Sequence, residues 1–267
     1  MKLFVKSRGN LRAQDYIYWL RCDTPNWNSA LDHSDADQYL RLLDTTSPGL
    51  LLFSQSNTYH LLISGLSSVR REPSSPGCIR NTILFTEIDS EETVRVLASY
   101  ALQHWTQLAQ AVDAAIQVDP DPTSICGYRL NCTQLFDIVG RILDERCTGL
   151  GLEQRVFRAE ALLYGGIGSS EWSMLSDELR QVSLPTAKSH LRLYAIVTKR
   201  IRLDELYREA NPYLLCNSIQ ETKLKKNSSF DNVSRGYSES VELMNLPTIA
   251  VIATAVFLIT HLLWHQK

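Results

Sequence analysis

From Leu243 to Trp264 the chain runs 22 positions without an Asp, Glu, Lys or Arg. A helix of about 20 such residues is what the hydrocarbon layer of a bilayer requires. Ten of the residues between Leu246 and Leu263 are Leu, Ile, Val or Phe. At roughly −0.3 to −0.6 kcal/mol each near a helix centre, they favour insertion by about 3–6 kcal/mol gross. Pro247 suits a first helical turn, where its missing N–H costs nothing, and Trp264 suits the interface. A buried core helix would normally keep one polar stripe, which this run lacks. The sequence therefore predicts a transmembrane helix over 243–264, with Leu246, Pro247, Ile252, Phe257, Leu263 and Trp264 among its anchoring residues.

The charges around this run set an expected orientation. Lys223, Lys225 and Lys226 precede it and only Lys267 follows, so the large N-terminal part is expected to face the cytoplasm as a single-pass, tail-anchored domain. The opening Met1-Lys2-Leu3-Phe4-Val5-Lys6 is broken by charge too early for the apolar core of a secretory signal. On this topology the triplets at Asn131, Asn227 and Asn232 are chance glycosylation matches. Cys22, Cys78, Cys126, Cys132, Cys147 and Cys216 form no C-x-x-C pair and no zinc-finger spacing. They read as reduced, small apolar residues, with no metal or cofactor implied. A formal net charge of −2 gives no field that would gather nucleic acid.

Hydrophobic periodicity predicts an α+β fold: an N-terminal antiparallel or mixed sheet packed by a long amphipathic helix, then a mainly helical region. Lys2 to Ser7 alternates as a strand, and Pro25-Asn26-Trp27-Asn28 reads as loop. A short helix over Ser34–Leu43 buries Tyr39, Leu40, Leu42 and Leu43. Leu50–Ser54 and Thr58–Gly65 form a hairpin, a polar loop occupies Ser67–Gly77, and Ile79–Glu87 returns as a strand. After Asp89-Ser90-Glu91-Glu92, apolar residues recur at helical spacing from Val94 to Ile116, which predicts one uninterrupted helix. Further helices are expected over Thr133–Arg146, Leu152–Tyr164, Ser170–Val182 and Arg202–Ala210, with a strand at His190–Val197.

These elements group into an N-terminal α+β domain over 1–118 and a mainly helical region with one late strand over 119–216, which either stands apart or joins the same core. A Ser-, Asn- and Lys-rich linker follows over 217–242. If flexible, these 26 linker residues span roughly 25–30 Å.

Arg70 and Arg71, with Arg80 at the start of the next strand, are the strongest concentration of positive charge in this region. Paired guanidinium forks recognise phosphate or carboxylate, so the three are the candidate ligand-binding residues. The competing reading is a solvated hairpin end. Strand alternation puts Arg80 and Asn81 on opposite faces, so one pocket takes only one of them. Gly165-Gly166-Ile167-Gly168-Ser169-Ser170 precedes a helix but lacks the lysine of a phosphate loop, and a helix-to-helix connection explains it better. His60, His104 and His190 stand isolated, with no nucleophile elbow or metalloprotease motif. Asp15, Glu87 and Asp89 are carboxylates near the sheet without a defined role, and no catalytic set is identified.

Three functions fit this arrangement. The first is a membrane-anchored cytosolic binding or regulatory module for a protein partner or a small anionic ligand. The second is an anchored enzyme acting on a phosphorylated or nucleotide-like substrate. The third is an oligomerising, membrane-perturbing stress or defence effector, for which Ala250, Ala253 and Thr254 offer a small-residue helix contact and a homo-oligomer.

Overall fold

Side chains alternating between two buried faces along the first strand set the architecture. In β1 (Lys2–Lys6), Leu3 and Val5 enter a large core shared with the helices, whereas Phe4 enters a smaller cluster on the opposite face. The same division runs through β4 (Gly49–Gln55), β5 (Thr58–Arg71) and β6 (Cys78–Ile88). Leu50, Leu52, Leu61, Ile63, Ile83 and Phe85 face the helices, and Leu51, Phe53, Leu62 and Leu84 face away. The computed structural model describes residues 1–9, 16, 18–24, 27–31, 39–71, 77–121, 123–146, 162–164, 166–198 and 214–217. All of them lie within one compact unit, Met1–Gln220.

With β2 (Trp19–Thr24), β3 (Trp27–Leu31), β9 (Leu162–Tyr164), β10 (Arg192–Thr198) and β11 (Leu214–Asn217), these strands make a nine-stranded sheet in the order β3-β2-β1-β6-β5-β4-β10-β11-β9. Pairing is antiparallel from β3 to β10 and parallel over the last two steps. A separate ribbon pairs β7 (Ile116–Val118) with β8 (Tyr128–Leu130).

Four described helices pack on one face: α1 (Glu91–Gln103), α2 (Trp105–Ala114), α3 (Cys132–Arg146) and α4 (Ser170–Gln181). Local chemistry starts them. Ser90 Oγ accepts from the Thr93 N–H, Asn131 Oδ1 from Gln134 and Ser169 Oγ from Trp172, each satisfying an otherwise orphaned first-turn donor. Arg95 of α1, 1 % exposed, donates to the carbonyls of Leu179 and Arg180 at the end of α4, both at 2.7 Å, and pairs with Glu91. Trp105 meets Trp172 edge-on at 5.2 Å.

Several sequence expectations change. The expected long helix is two, separated at His104, and its last residue, Ile116, begins β7. Trp27 and Asn28, expected in a loop, begin β3. The expected polar loop is strand as far as Arg71 and again from Cys78, because Ser68 and Arg70 are satisfied on the helix side of the sheet. Leu162–Tyr164, expected as the end of a helix, is strand. Cys22 and Cys132, read as reduced, are joined in a disulfide that ties β2 to the start of α3. The expected features at 34–38, 72–76, 152–161, 202–210 and 218–264 lie outside the described residues. Among the described residues no helix is long and apolar enough to cross a membrane.

Candidate functional site

Strand alternation on β6 sends Arg80 and Thr82 to one face of the sheet and Asn81 to the other. The helix side is a closed polar network. Asn81 is fully buried, its Oδ1 accepting from Ser7 Oγ at 2.6 Å and from Arg70 at 3.2 Å, while its Nδ2 donates to Asp113 of α2 at 3.1 Å. Every guanidinium nitrogen of Arg70 has a protein partner. Nε donates to Ser68 Oγ, one terminal nitrogen to the Arg8 carbonyl at 3.0 Å, and the other to Ser7 Oγ at 2.8 Å. Asp113 lies 3.5 Å from Arg70 Nε and also accepts from the Val69 N–H. Beside this network the Tyr128 hydroxyl accepts from the Ser7 N–H and lies within bonding distance of the Val5 and Tyr18 carbonyls, and burial raises its pKa. A guanidinium so fully engaged fixes the end of β5 and is not presented to a ligand.

The opposite face carries a cavity of about 460 Å³. Lys6 and Thr82 oppose each other in the β1–β6 register, and Arg80 lies two residues before Thr82, so these three side chains share the face with Phe4 and Leu84. The other wall comes from 39–47. Turn bonds from Leu42 N–H to the Tyr39 carbonyl and from Leu43 N–H to the Leu40 carbonyl hold it, with Tyr39, Leu42 and Leu43 buried as the sequence predicted. This places Leu40, Leu43 and the exposed Arg41 on the cavity's lining. Asp44 then turns its carboxylate into its own loop, accepting from the Thr46 N–H and hydroxyl and from Ser47 Oγ. Thr45 and Thr46 complete the wall. Gly65, at φ +74°, permits this approach, since a Cβ there would lie 2.1 Å from the Ser47 carbonyl oxygen.

Three cationic groups thus line one cavity, and no carboxylate is among its described lining residues. The Lys6 ammonium also lies 5.4 Å from the centre of the Trp19 ring, Arg80 bonds Ser67 Oγ, and the Tyr16 hydroxyl accepts from the Arg80 N–H at 2.9 Å. Cations gathered against low-dielectric walls focus potential and raise the local concentration of anions.

Of the three sequence candidates, the structure brings only Arg80 to this cavity. Arg70 sits across the sheet, and Arg71 is exposed at the end of β5, opposite Cys78. Lys6 and Arg41 were not singled out by the sequence, and only the β1–β6 register and the packing of 39–43 reveal them. The glycine-rich segment follows strand β9 rather than a helix, and Ser169 serves as the cap of α4.

Other titratable groups among the described residues lie away from this cavity's lining. Burial lowers the pKa of His60, which lies 3.2 Å from the Gln55 carbonyl and stacks on Phe53 at 4.9 Å. His104 packs on Tyr100 at the break between helices, and His190 is exposed. Glu87 pairs with Lys2, Asp89 is exposed, and Asp15 lies outside the described residues. Burial raises the thiol pKa of Cys126, which keeps it protonated and a weak nucleophile. Among the described residues no cluster of three His, Cys, Asp or Glu side chains is arranged to hold a metal. Neither family models, curated proteins nor solved structures match the chain.

Proposed function

We propose that this chain is a binding module for a small anionic ligand, held at a membrane by its C-terminal apolar run. The observation that carries the reading is the cavity in which Lys6, Arg41 and Arg80 converge without a carboxylate among the described lining residues. Guanidinium groups offer paired donors to phosphate or carboxylate oxygens, an ammonium adds a compact charge, and threonine hydroxyls supply further donors. Binding is favoured over turnover because the described lining contains no His, Cys, Asp or Glu to act as base or nucleophile. The test is a thermal-shift screen of the full chain in detergent against phosphorylated and carboxylated metabolites. A rise of several degrees with one class, lost in Arg80→Ala and Arg41→Ala and kept in Arg71→Ala, supports the reading. A folded protein that responds to no anion refutes it.

The tether rests on Leu243–Trp264, and the charge asymmetry of Lys223, Lys225 and Lys226 supports a cytoplasmic domain. The Cys22–Cys132 disulfide favours the reverse orientation, since such bonds persist in oxidising compartments. Cys78 is free and exposed, and labelling it with a membrane-impermeant maleimide separates the two. Protection in intact cells with labelling after lysis supports the cytoplasmic placement; labelling of intact cells supports the other. Loss of membrane association on removal of 241–267 tests the tether itself.

A further inference from the structure

Resting on the cytoplasmic placement proposed above, and independent of the anion cavity, the Cys22–Cys132 bond has a role beyond holding the fold. We propose that the two cysteines form a reversible dithiol–disulfide couple, closed and opened by the surrounding glutathione pool, that clamps the turn end of the β2–β3 hairpin to α3.

Compartment and bond pull against each other unless the bond is reversible. The lysines before the apolar run favour a cytoplasmic domain. There, thiol reductants keep cysteines reduced, and a disulfide that does form is transient, serving catalysis or redox sensing. Catalysis needs a sulfur within reach of a substrate, and these two residues are 0 % and 3 % exposed. Sensing needs only that the pair close and open.

The backbone holds both cysteines ready to bond. Their Cα atoms lie 5.6 Å apart, inside the range of roughly 4.4–6.8 Å that a disulfide spans. Each is placed by contacts that survive reduction. Helix α3 buries Leu135, Ile138, Val139 and Ile142 in the main core, and Asn131 caps its first turn, so Cys132 stays in position. On the other side β1 pairs with β2 from Trp19 as far as Cys22, and the Tyr128 hydroxyl lies 3.0 Å from the Tyr18 carbonyl. Past Cys22 the β1 register ends, Thr24 is matched to Trp27 of β3 after a shift, and β3 is the outermost strand on that side of the sheet. Opening the bond therefore frees the backbone around Thr24, Trp27 and Asn28 locally and leaves the β1–β2 pairing intact.

The exchange balances with glutathione disulfide as oxidant. Cys132 is the first residue of α3, where the positive end of the helix favours a thiolate, so it is the attacking sulfur. It displaces one glutathione thiolate and forms a mixed disulfide. Cys22, having lost its proton to water, then attacks the Cys132 sulfur and releases the second glutathione thiolate. Two protein thiols are oxidised to one disulfide, and one glutathione disulfide is reduced to two glutathione thiols. Excess reduced glutathione runs the same steps backwards, entering when the sheet edge opens.

The test starts from full chain purified in air, which carries the bond, held folded in detergent and equilibrated with glutathione buffers from fully reduced to fully oxidised. Acid quenching, maleimide trapping and peptide mass spectrometry read the state of Cys22 and Cys132, and hydrogen exchange reads the backbone. Reduced glutathione should open the bond in the folded protein, and glutathione disulfide should restore it. Peptides carrying Thr24, Trp27 and Asn28 should exchange at least about tenfold faster in the reduced state, with α1 unchanged. Cys22→Ala should match the reduced state in both buffers. A bond that stays closed in reduced glutathione is a permanent cross-link and overturns the couple. Equal exchange of those peptides in both states overturns the clamp. Maleimide labelling of Cys78 in intact cells reads the placement separately: a domain outside the cytoplasm overturns the inference through its premise, whereas a cytoplasmic domain whose bond never opens overturns the couple alone.

Discussion

Reducing the Cys22–Cys132 disulfide should weaken the fold by an amount that the chain's topology sets. The two residues are 110 positions apart, their Cα atoms lie 5.6 Å from each other, and both side chains are buried where β2 meets the first turn of α3. Closing a loop of that length in the unfolded chain removes roughly 16 cal/mol/K, about 4.8 kcal/mol at 25 °C, as an upper figure. Measured disulfides commonly deliver about 2–4 kcal/mol. For a unit of this size each kcal/mol moves the midpoint by about 2–4 °C, so reduction should lower it by roughly 5–15 °C. The assay is thermal unfolding of the full chain in detergent, with and without reductant, beside Cys22→Ala and Cys132→Ala. Both variants should resemble the reduced wild type and lose their response to reductant. Equal midpoints for oxidised and reduced wild type would refute the reasoning, as would alkylation of both cysteines in protein denatured without reductant.

Arg70→Ala should destabilise the fold by about 3 kcal/mol in denaturant titration, because it strips a buried partner from Asp113 and Asn81, yet leave anion affinity unchanged in the folded fraction. Gly65→Ala should cost at least about 2–3 kcal/mol, since its φ of +74° disfavours a side chain and its Cβ would collide with the Ser47 backbone. Urea midpoints of Gly65→Ala and of Gly140→Ala, where a Cβ meets open space, should differ accordingly. Burial, then the neighbouring Tyr194, push the Tyr59 pKa up to about 12 from an ordinary 10.0. The folded state therefore holds that proton more tightly than the unfolded state. Its contribution is complete below pH 10 and is lost as pH rises from 10 to about 12, so stability should fall across that window less steeply in Tyr59→Phe.

How much of this was legible from the sequence follows from which contacts are local. The hairpin of β4 and β5 announces itself because Leu50–Phe53 and Leu61–Ile63 are apolar on both faces and the polar Ser56-Asn57 turn joins the two strands. The caps at Ser90 and Ser169 are local as well. The break at His104 leaves no trace in the pattern, since α1 and α2 continue to present apolar residues to the same core. The end of β5 looked like loop because its polar residues are satisfied by Ser7, Arg8, Asn81 and Asp113, which are remote in sequence. Strand parity alone separated Arg80 from Asn81. Joining Arg80 to Lys6 required the β1–β6 register across more than seventy residues, and joining it to Arg41 required the packing of the 39–43 turn. The disulfide likewise joins residues that no spacing rule connects.

The central claim is that Lys6, Arg41 and Arg80 form one anion site while Arg70 is committed to the fold. Anomalous diffraction from crystals of the chain soaked in tungstate, a tetrahedral stand-in for phosphate, tests it most directly. The account requires the tungsten peak within hydrogen-bonding reach of those three side chains, and its loss in crystals of Arg80→Ala. An empty cavity with tungstate ordered on Arg70 and Arg71 would contradict it.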